Sequence, residues 1–236
     1  MGDDAALMAS ISSANVACGF HAGDPGTMRA TVALAKASGV AVGAHPGFPD
    51  LAGFGRRELK ATPQEVEDFV VYQVAALAGI AAAQGVRLQH VKAHGALYNM
   101  ACRDHALAAA IARAVAAVDK NLILFGLPNS ELIKAGELAG LPVAAEVFAD
   151  RAYEADGSLA SRQKDGSVIH DQAAVVARAI TMVQGRRVVA LDGSEIALEA
   201  DTICLHGDTP GAVVLARAVR QGLEAAGIQV RRLGQT

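Results

Sequence analysis

The stretch Ala14-Asn15-Val16-Ala17-Cys18-Gly19-Phe20-His21-Ala22-Gly23-Asp24-Pro25-Gly26 runs from an apolar strand into a histidine, a Gly/Asp turn and a helix that opens on proline. Asp24 suits the N-cap, and Pro25 suits the first helical position, where its missing N–H costs nothing. Ile203-Cys204-Leu205-His206-Gly207-Asp208-Thr209-Pro210-Gly211 repeats the pattern near the other end, and two more apolar runs close on His45 and His94. A chain built of strand, turn and returning helix lays its strands in parallel. Four strands ending in an imidazole constrain this chain more than any other feature.

The rest of the sequence fills in the alternation. Strands are expected at 13–20, 40–44, 89–94, 122–126, 142–148 and 203–206. The helix from Gly26 to Ser38 places Met28, Val32 and Ala35 on one face. A long loop from Pro46 to Leu59 leads to a capping box at Thr62-Pro63-Gln64-Glu65. The helix after it carries Val66, Phe69, Val70, Val74, Leu77, Ile80 and Ala81 on one stripe. Alternation over 88–94 puts Lys92 and His94 on one face and Val91 and Ala93 on the other. Asp104, Ser130 and Asp171 open further helices, and Asp192-Gly193 turns a small hairpin between 188–191 and 195–198. The polar stretch Tyr153 to His170 has little periodicity and reads as a lid or a disordered surface excursion. No Gly/Ser-rich or Pro-rich linker divides the chain, so residues 1–236 read as one domain. A doubly wound sheet and a (β/α) barrel both fit. The barrel is preferred, because polar residues recur at nearly every strand's C-terminal end rather than at one switch point.

Composition excludes several function classes. A net charge of -3 gives no reason to expect nucleic acid. No apolar run approaches the roughly 18 residues of a spanning helix, so no membrane segment is expected. The acidic start Met1-Gly2-Asp3-Asp4 is unlike a signal peptide, and Ala at position 6 does not suit myristoylation. Cys18, Cys102 and Cys204 are odd in number and far apart, which suits reduced thiols and the cytoplasm. Hydrophobic residues make up 52% of the chain and mean hydropathy is +0.29, as for a packed Ala-rich globule.

His21, His45, His94 and His206, with Asp24, Lys92, Glu146, Asp150 and Asp208 at matching places, form the candidate site. Histidines with carboxylates can hold a divalent metal, and equally can act without one as acid, base and oxyanion donors. A lysine pointing into a barrel needs an anion to pair with, since an unpaired buried ammonium is costly. Gly53-Phe54-Gly55-Arg56-Arg57 offers an anion site or a solvated loop. His90, His105 and His170 lie at element starts among polar neighbours and are expected on the surface. GxxxxGK[ST], GxSxG, thioredoxin-like and zinc-finger signatures are absent.

At these positions the chain resembles the LamB/YcsF lactam-utilisation family. The resemblance rests on Ser13 to Pro25, Gly43-Ala44-His45-Pro46, Gly53-Phe54-Gly55-Arg56-Arg57, Lys92-Ala93-His94-Gly95-Ala96-Leu97-Tyr98-Asn99, Glu146-Val147-Phe148-Ala149-Asp150-Arg151 and His206-Gly207-Asp208-Thr209-Pro210. It covers essentially the whole chain in order. It implies a seven-stranded (β/α) barrel of the glycoside hydrolase/deacetylase type. It also implies ATP-coupled opening of 5-oxoproline to glutamate, with ATP and Mg as co-substrate and separate B and C subunits as partners. The family has proline where this chain has Ala93. It also opens on a strand bearing Asn-x-Asp-x-Gly-Glu ahead of Met-Gly-Asp-Asp, so this chain is expected to begin after the first barrel strand, with six strands present.

From position and residue type, Lys92, Arg56 and Arg57 are expected to bind anions. His21, His45, His94 and His206 would serve as acid, base or oxyanion donors. Asp24, Asp150 and Asp208 would orient imidazoles or bind a cation, and Glu146 and Arg151 would contact substrate or phosphate. Two rival readings are a metal-dependent deacetylase or amidohydrolase acting alone, and a non-catalytic partner subunit or remnant.

Overall fold

The computed structural model describes residues 4–207 and 211–234. Internal contacts divide the chain into two compact units, residues 13–144 and residues 1–12 with 145–236. The short helix α1 (Asp4–Met8) belongs to the second.

The first unit starts with β1 (Ser13–Ala17), which pairs in parallel with β2 (Ala41–His45), Ser13 opposite Ala41 and Ala17 opposite His45. Between them lies α2 (Pro25–Ala37), where the Asp24 carboxylate accepts from Thr27 N at 2.9 Å, the expected cap. β1 ends three residues before the expected boundary, because Gly19 turns the chain at φ +97. His21 therefore sits in the turn after the strand. α3 (Pro63–Ala82) opens on the expected capping box, with Thr62 N donating to the Glu65 carboxylate and Glu65 N to the Thr62 hydroxyl. Its stripe of Val66, Val70, Val74, Leu77 and Ala81 is fully buried.

β3 is only His90–Val91, shorter than the expected 89–94. Backbone bonds continue past it, from Lys92 N to Ala44 O and from His94 N to Pro46 O. Pro46 has no N–H to donate in return, so the regular ladder stops there. Gly95 then leaves at φ +57 and α4 (Gly95–Ala101) begins, a helix the periodicity does not reveal. Next come α5 (His105–Val118), capped by Asp104, then β4 (Ile123–Gly126), and α6 (Glu131–Leu138), capped by Ser130. β5 (Val143–Phe148) starts in this unit and runs into the other.

In the second unit β5 pairs in parallel with β8 (Thr202–Cys204), Glu146 opposite Thr202. Between them lie α7 (Gln172–Gln184) and the expected hairpin, β6 (Arg187–Val189) against β7 (Glu195–Ala197). α8 (Ala212–Ala225) packs Val219 and Leu223 with Val175 and Ala179 of α7. The stretch after β5 is neither loose nor disordered. Tyr153 is 1% exposed and its hydroxyl accepts from Phe148 N, while bridges join Arg151 to Val168 and Tyr153 to Leu159.

Six parallel strands therefore hydrogen-bond in the order β1-β2-β3-β4-β5-β8. The order follows the chain without reversal, so it has no switch point. That is the winding of the (β/α)-barrel class and not of a doubly wound sheet. No described helix is long and apolar enough to cross a membrane.

Candidate active site

Three of the four strand-end histidines meet in the first unit. His45 is the last residue of β2, His94 the N-cap of α4, and His21 lies between β1 and α2. His45 Nδ1 donates to Lys92 O at 2.7 Å, and His94 Nε2 to Phe54 O at 2.7 Å. The opposite nitrogens, His94 Nδ1 and His45 Nε2, are 2.9 Å apart. His21 stacks on His94 with centroids 3.9 Å apart and planes 5° apart, and its Nδ1 is buried without a hydrogen-bond partner.

These rings are held neutral. Burial, then Arg56, push the His21 pKa down to about 4. Burial and His21 push His94 down to about 3, against the opposing effect of the Phe54 carbonyl. His45 lies well below its ordinary value through burial, then the charges of His94, Lys92 and His21. Near pH 7 the cluster presents lone pairs, so it can accept a proton or ligate a cation.

The segment Gly53-Phe54-Gly55-Arg56-Arg57, expected as an anion site or a solvated loop, packs around these rings. A Cβ on Gly55 would stand 2.8 Å from His21 Cβ and 2.9 Å from His94 Cδ2. Arg57 is paired with the buried carboxylate of Asp50, which also accepts from Gly53 N at 2.9 Å, so its guanidinium is committed. The Arg56 guanidinium lies 5.0 Å above the Phe54 ring. Lys92 is buried as expected, its ammonium 5.8 Å from the Tyr98 ring centroid. The Asp24 carboxylate is engaged by Thr27, through both backbone N–H and hydroxyl, and serves as a cap rather than an orienter of imidazoles.

His90 is fully buried, contrary to the expectation of a surface residue. It stacks on Phe125 at 4.3 Å, and its Nε2 donates to Asn15 Oδ1 at 2.8 Å. His105 and His170 are exposed as expected.

In the second unit His206 Nδ1 donates to Asp150 Oδ2 at 2.9 Å. Burial works against the Asp150 charge, but the His206 bond and charge outweigh it and hold the carboxyl below its usual range. The other oxygen, Oδ1, is buried without a partner. An anchored Nδ1–H leaves Nε2 as the nitrogen that can take a proton, the arrangement of a base oriented by a carboxylate. Glu146 is buried on β5. Arg151, expected to contact substrate or phosphate, acts as a structural clamp. Its guanidinium donates to Ser167 O and Ala160 O and pins the loop after β5. Asp208 lies outside the described residues.

Sequence reasoning missed Gln73. It is fully buried on the apolar stripe of α3, accepts from Gly47 N and donates to Gly47 O, both at 2.9 Å. That fixes the loop after His45, where a Cβ on Gly47 would come within 2.7 Å of His21 Nδ1. The signal was present, since an amide at a stripe position needs a buried partner.

The LamB/YcsF family model matches residues 1–236. The chain is 58% identical over 231 residues to the 5-oxoprolinase A subunit of Rhodopseudomonas palustris (strain BisB18), covering 98% of this chain and 91% of that protein. It is 55% identical over 233 residues to the 5-oxoprolinase A subunit of Tolumonas auensis, covering 99% and 93%. Among solved structures, the lactam utilization protein from Thermus thermophilus superposes with a TM-score of 0.92 at 52% identity, over 98% of this chain and 92% of the other. With the histidine cluster and the His206–Asp150 pair set on signatures that run through both units, the chain belongs to the LamB/YcsF family.

Proposed function

We propose that this chain opens the lactam ring of 5-oxoproline as the A subunit of an ATP-dependent, multi-subunit 5-oxoprolinase. The observation that carries the reading is full-length identity of 55–58% to relatives bearing that name. The residues suit the chemistry. A γ-lactam is resonance-stabilised, so water attacks only when the carbonyl is made more electrophilic and a base removes the water's proton. His206, with Nδ1 anchored on Asp150, is the base we assign, taking the proton on Nε2 while Asp150 stabilises the resulting imidazolium.

ATP fits this chain poorly. The sequence has no phosphate-cradling glycine loop of the Walker type, and Arg57, one of the three cations expected to bind anions, is paired with Asp50. We therefore assign nucleotide chemistry to the B and C partners, and the cytoplasm as the compartment, where the three buried thiols stay reduced. The test is 5-oxoproline-dependent ADP release and glutamate formation by the purified chain, alone and with the partner subunits. Turnover only in the complex supports the reading. Coupled turnover by the chain alone, or no turnover by the complex, overturns it.

A further inference from the structure

The protons of the His45–His94 pair can be counted from their partners. A carbonyl oxygen only accepts, so His45 carries its proton on Nδ1 to bond Lys92 O, and His94 carries its proton on Nε2 to bond Phe54 O. A neutral imidazole has a single N–H. The remaining nitrogens, His45 Nε2 and His94 Nδ1, then face each other at 2.9 Å with a lone pair each. Lone pairs repel at that distance unless a cation lies with them.

An extra proton is the simplest cation. A proton shared between His45 Nε2 and His94 Nδ1 would fill only the 2.9 Å gap between them. It makes no use of a third nitrogen. Yet His21, 2% exposed, brings a buried Nδ1 with no hydrogen-bond partner, and the three residues' ligand atoms lie within 4.8 Å of one another. Histidines that bind metals characteristically donate their second N–H to a carboxylate or backbone carbonyl, which fixes the ligating nitrogen. His45 and His94 do so.

We propose that His21, His45 and His94 form a binding site for one divalent transition ion of the zinc type, ligated by His45 Nε2, His94 Nδ1 and His21 Nδ1 with the fourth position open. Three imidazoles and an open position are the donor set of a reactive zinc centre rather than a closed structural one. Two parallel rings cannot both hold one ion in their planes, so loading turns His21 out of its stack on His94. Gly47 and Gly55 are the positions that let the backbone lie this close to His21, since a Cβ at either would press on the ring or its Cβ. The nearby charges of Lys92 and Arg56 favour an anion at the fourth position.

The test uses the full chain, stripped with a chelator and titrated with Co2+. Wild type should bind one ion per chain, show the visible absorption of a four-coordinate site, and lose it when one equivalent of Zn2+ is added. His94→Gln should weaken binding by at least about tenfold, while His105→Ala should leave it unchanged. In case a variant fails to fold, Zn2+ titration of wild type by NMR should move the ring resonances of His21, His45 and His94 and leave those of His105 and His170 in place. A cooperatively melting wild type that takes up no ion, His94→Gln binding like wild type, or unmoved ring resonances would each overturn the site. None of these readouts involves turnover, so the metal site stands or falls apart from the lactam reading.

Discussion

Lowering the pH from 7 to 5 should destabilise the protein through His90 by an amount the structure defines. The ring has no exposed surface, stacks on Phe125 of β4, lies against Gly43 of β2, and donates from Nε2 to Asn15 of β1. Nδ1 is buried with no partner, so a second proton would have no acceptor. Burial, then the charge of Lys92, pushes the pKa from 6.5 down to about 3. Well above pH 6.5 the ring is neutral both folded and unfolded and contributes no pH dependence. Below it the unfolded chain takes up a proton that the folded chain refuses, so stability falls until the folded pKa is reached. Integrating that difference from pH 7 gives a loss of about 0.7 kcal/mol at pH 6 and about 1.9 kcal/mol at pH 5. The pH 5 figure hardly depends on where the folded pKa lies, provided it is below about 4. Urea unfolding of wild type and His90→Gln at pH 7, 6 and 5, in chelator, isolates the effect, because every other titrating group cancels in the comparison. The gap between the two proteins should shift by about 1.9 kcal/mol in the variant's favour. Parallel stability curves would mean that His90 takes up a proton in the folded protein and would refute the reasoning.

Gly43→Ala drives a Cβ into His90 Nε2 with Phe125 stacked on the ring, so it should cost about 1–3 kcal/mol by urea unfolding; a neutral effect would show the ring can move. Gln73→Leu strands the Gly47 N–H and C=O in the interior and should cost about 2–4 kcal/mol, with a loss below about 0.5 kcal/mol counting against the clamp. In the assembled enzyme, His206→Ala should lower kcat by about 10²–10⁴-fold, the range of a general base, and an effect under about threefold removes it from that role. Asp150→Asn should lower kcat with little change in KM, because it acts on His206 rather than on substrate.

What could be read from the sequence was whatever a few consecutive residues decide. Asp24-Pro25 and Thr62-Pro63-Gln64-Glu65 cap their helices through bonds three residues long, so the signal and the structure occupy the same stretch. The strand order also follows from local alternation, because short strand–helix units leave a chain little choice but to add each strand beside the last. The convergence of His21, His45 and His94 was legible for the same reason: consecutive parallel strands bring their C-terminal ends together. The misread residues are polar groups whose partners lie beyond the few consecutive residues that a local signal spans. His90 looked exposed because Gln89 and Lys92 flank it, and its acceptor is 75 residues away on β1. Arg57 looked available for phosphate, although the carboxylate that holds it is seven residues upstream. Arg151 matched a family signature, yet its two acceptors lie in a loop that showed no periodicity at all. Each error has one physical source. Polarity in a sequence reports that a group needs a hydrogen-bond partner, and only the fold decides whether water, a ligand or the protein supplies it. His21 is the informative remainder: like His90 it has a buried Nδ1 without a partner, but its ligand atom lies within 4.8 Å of those of His45 and His94, and that grouping is why the cluster reads as a binding site rather than as core.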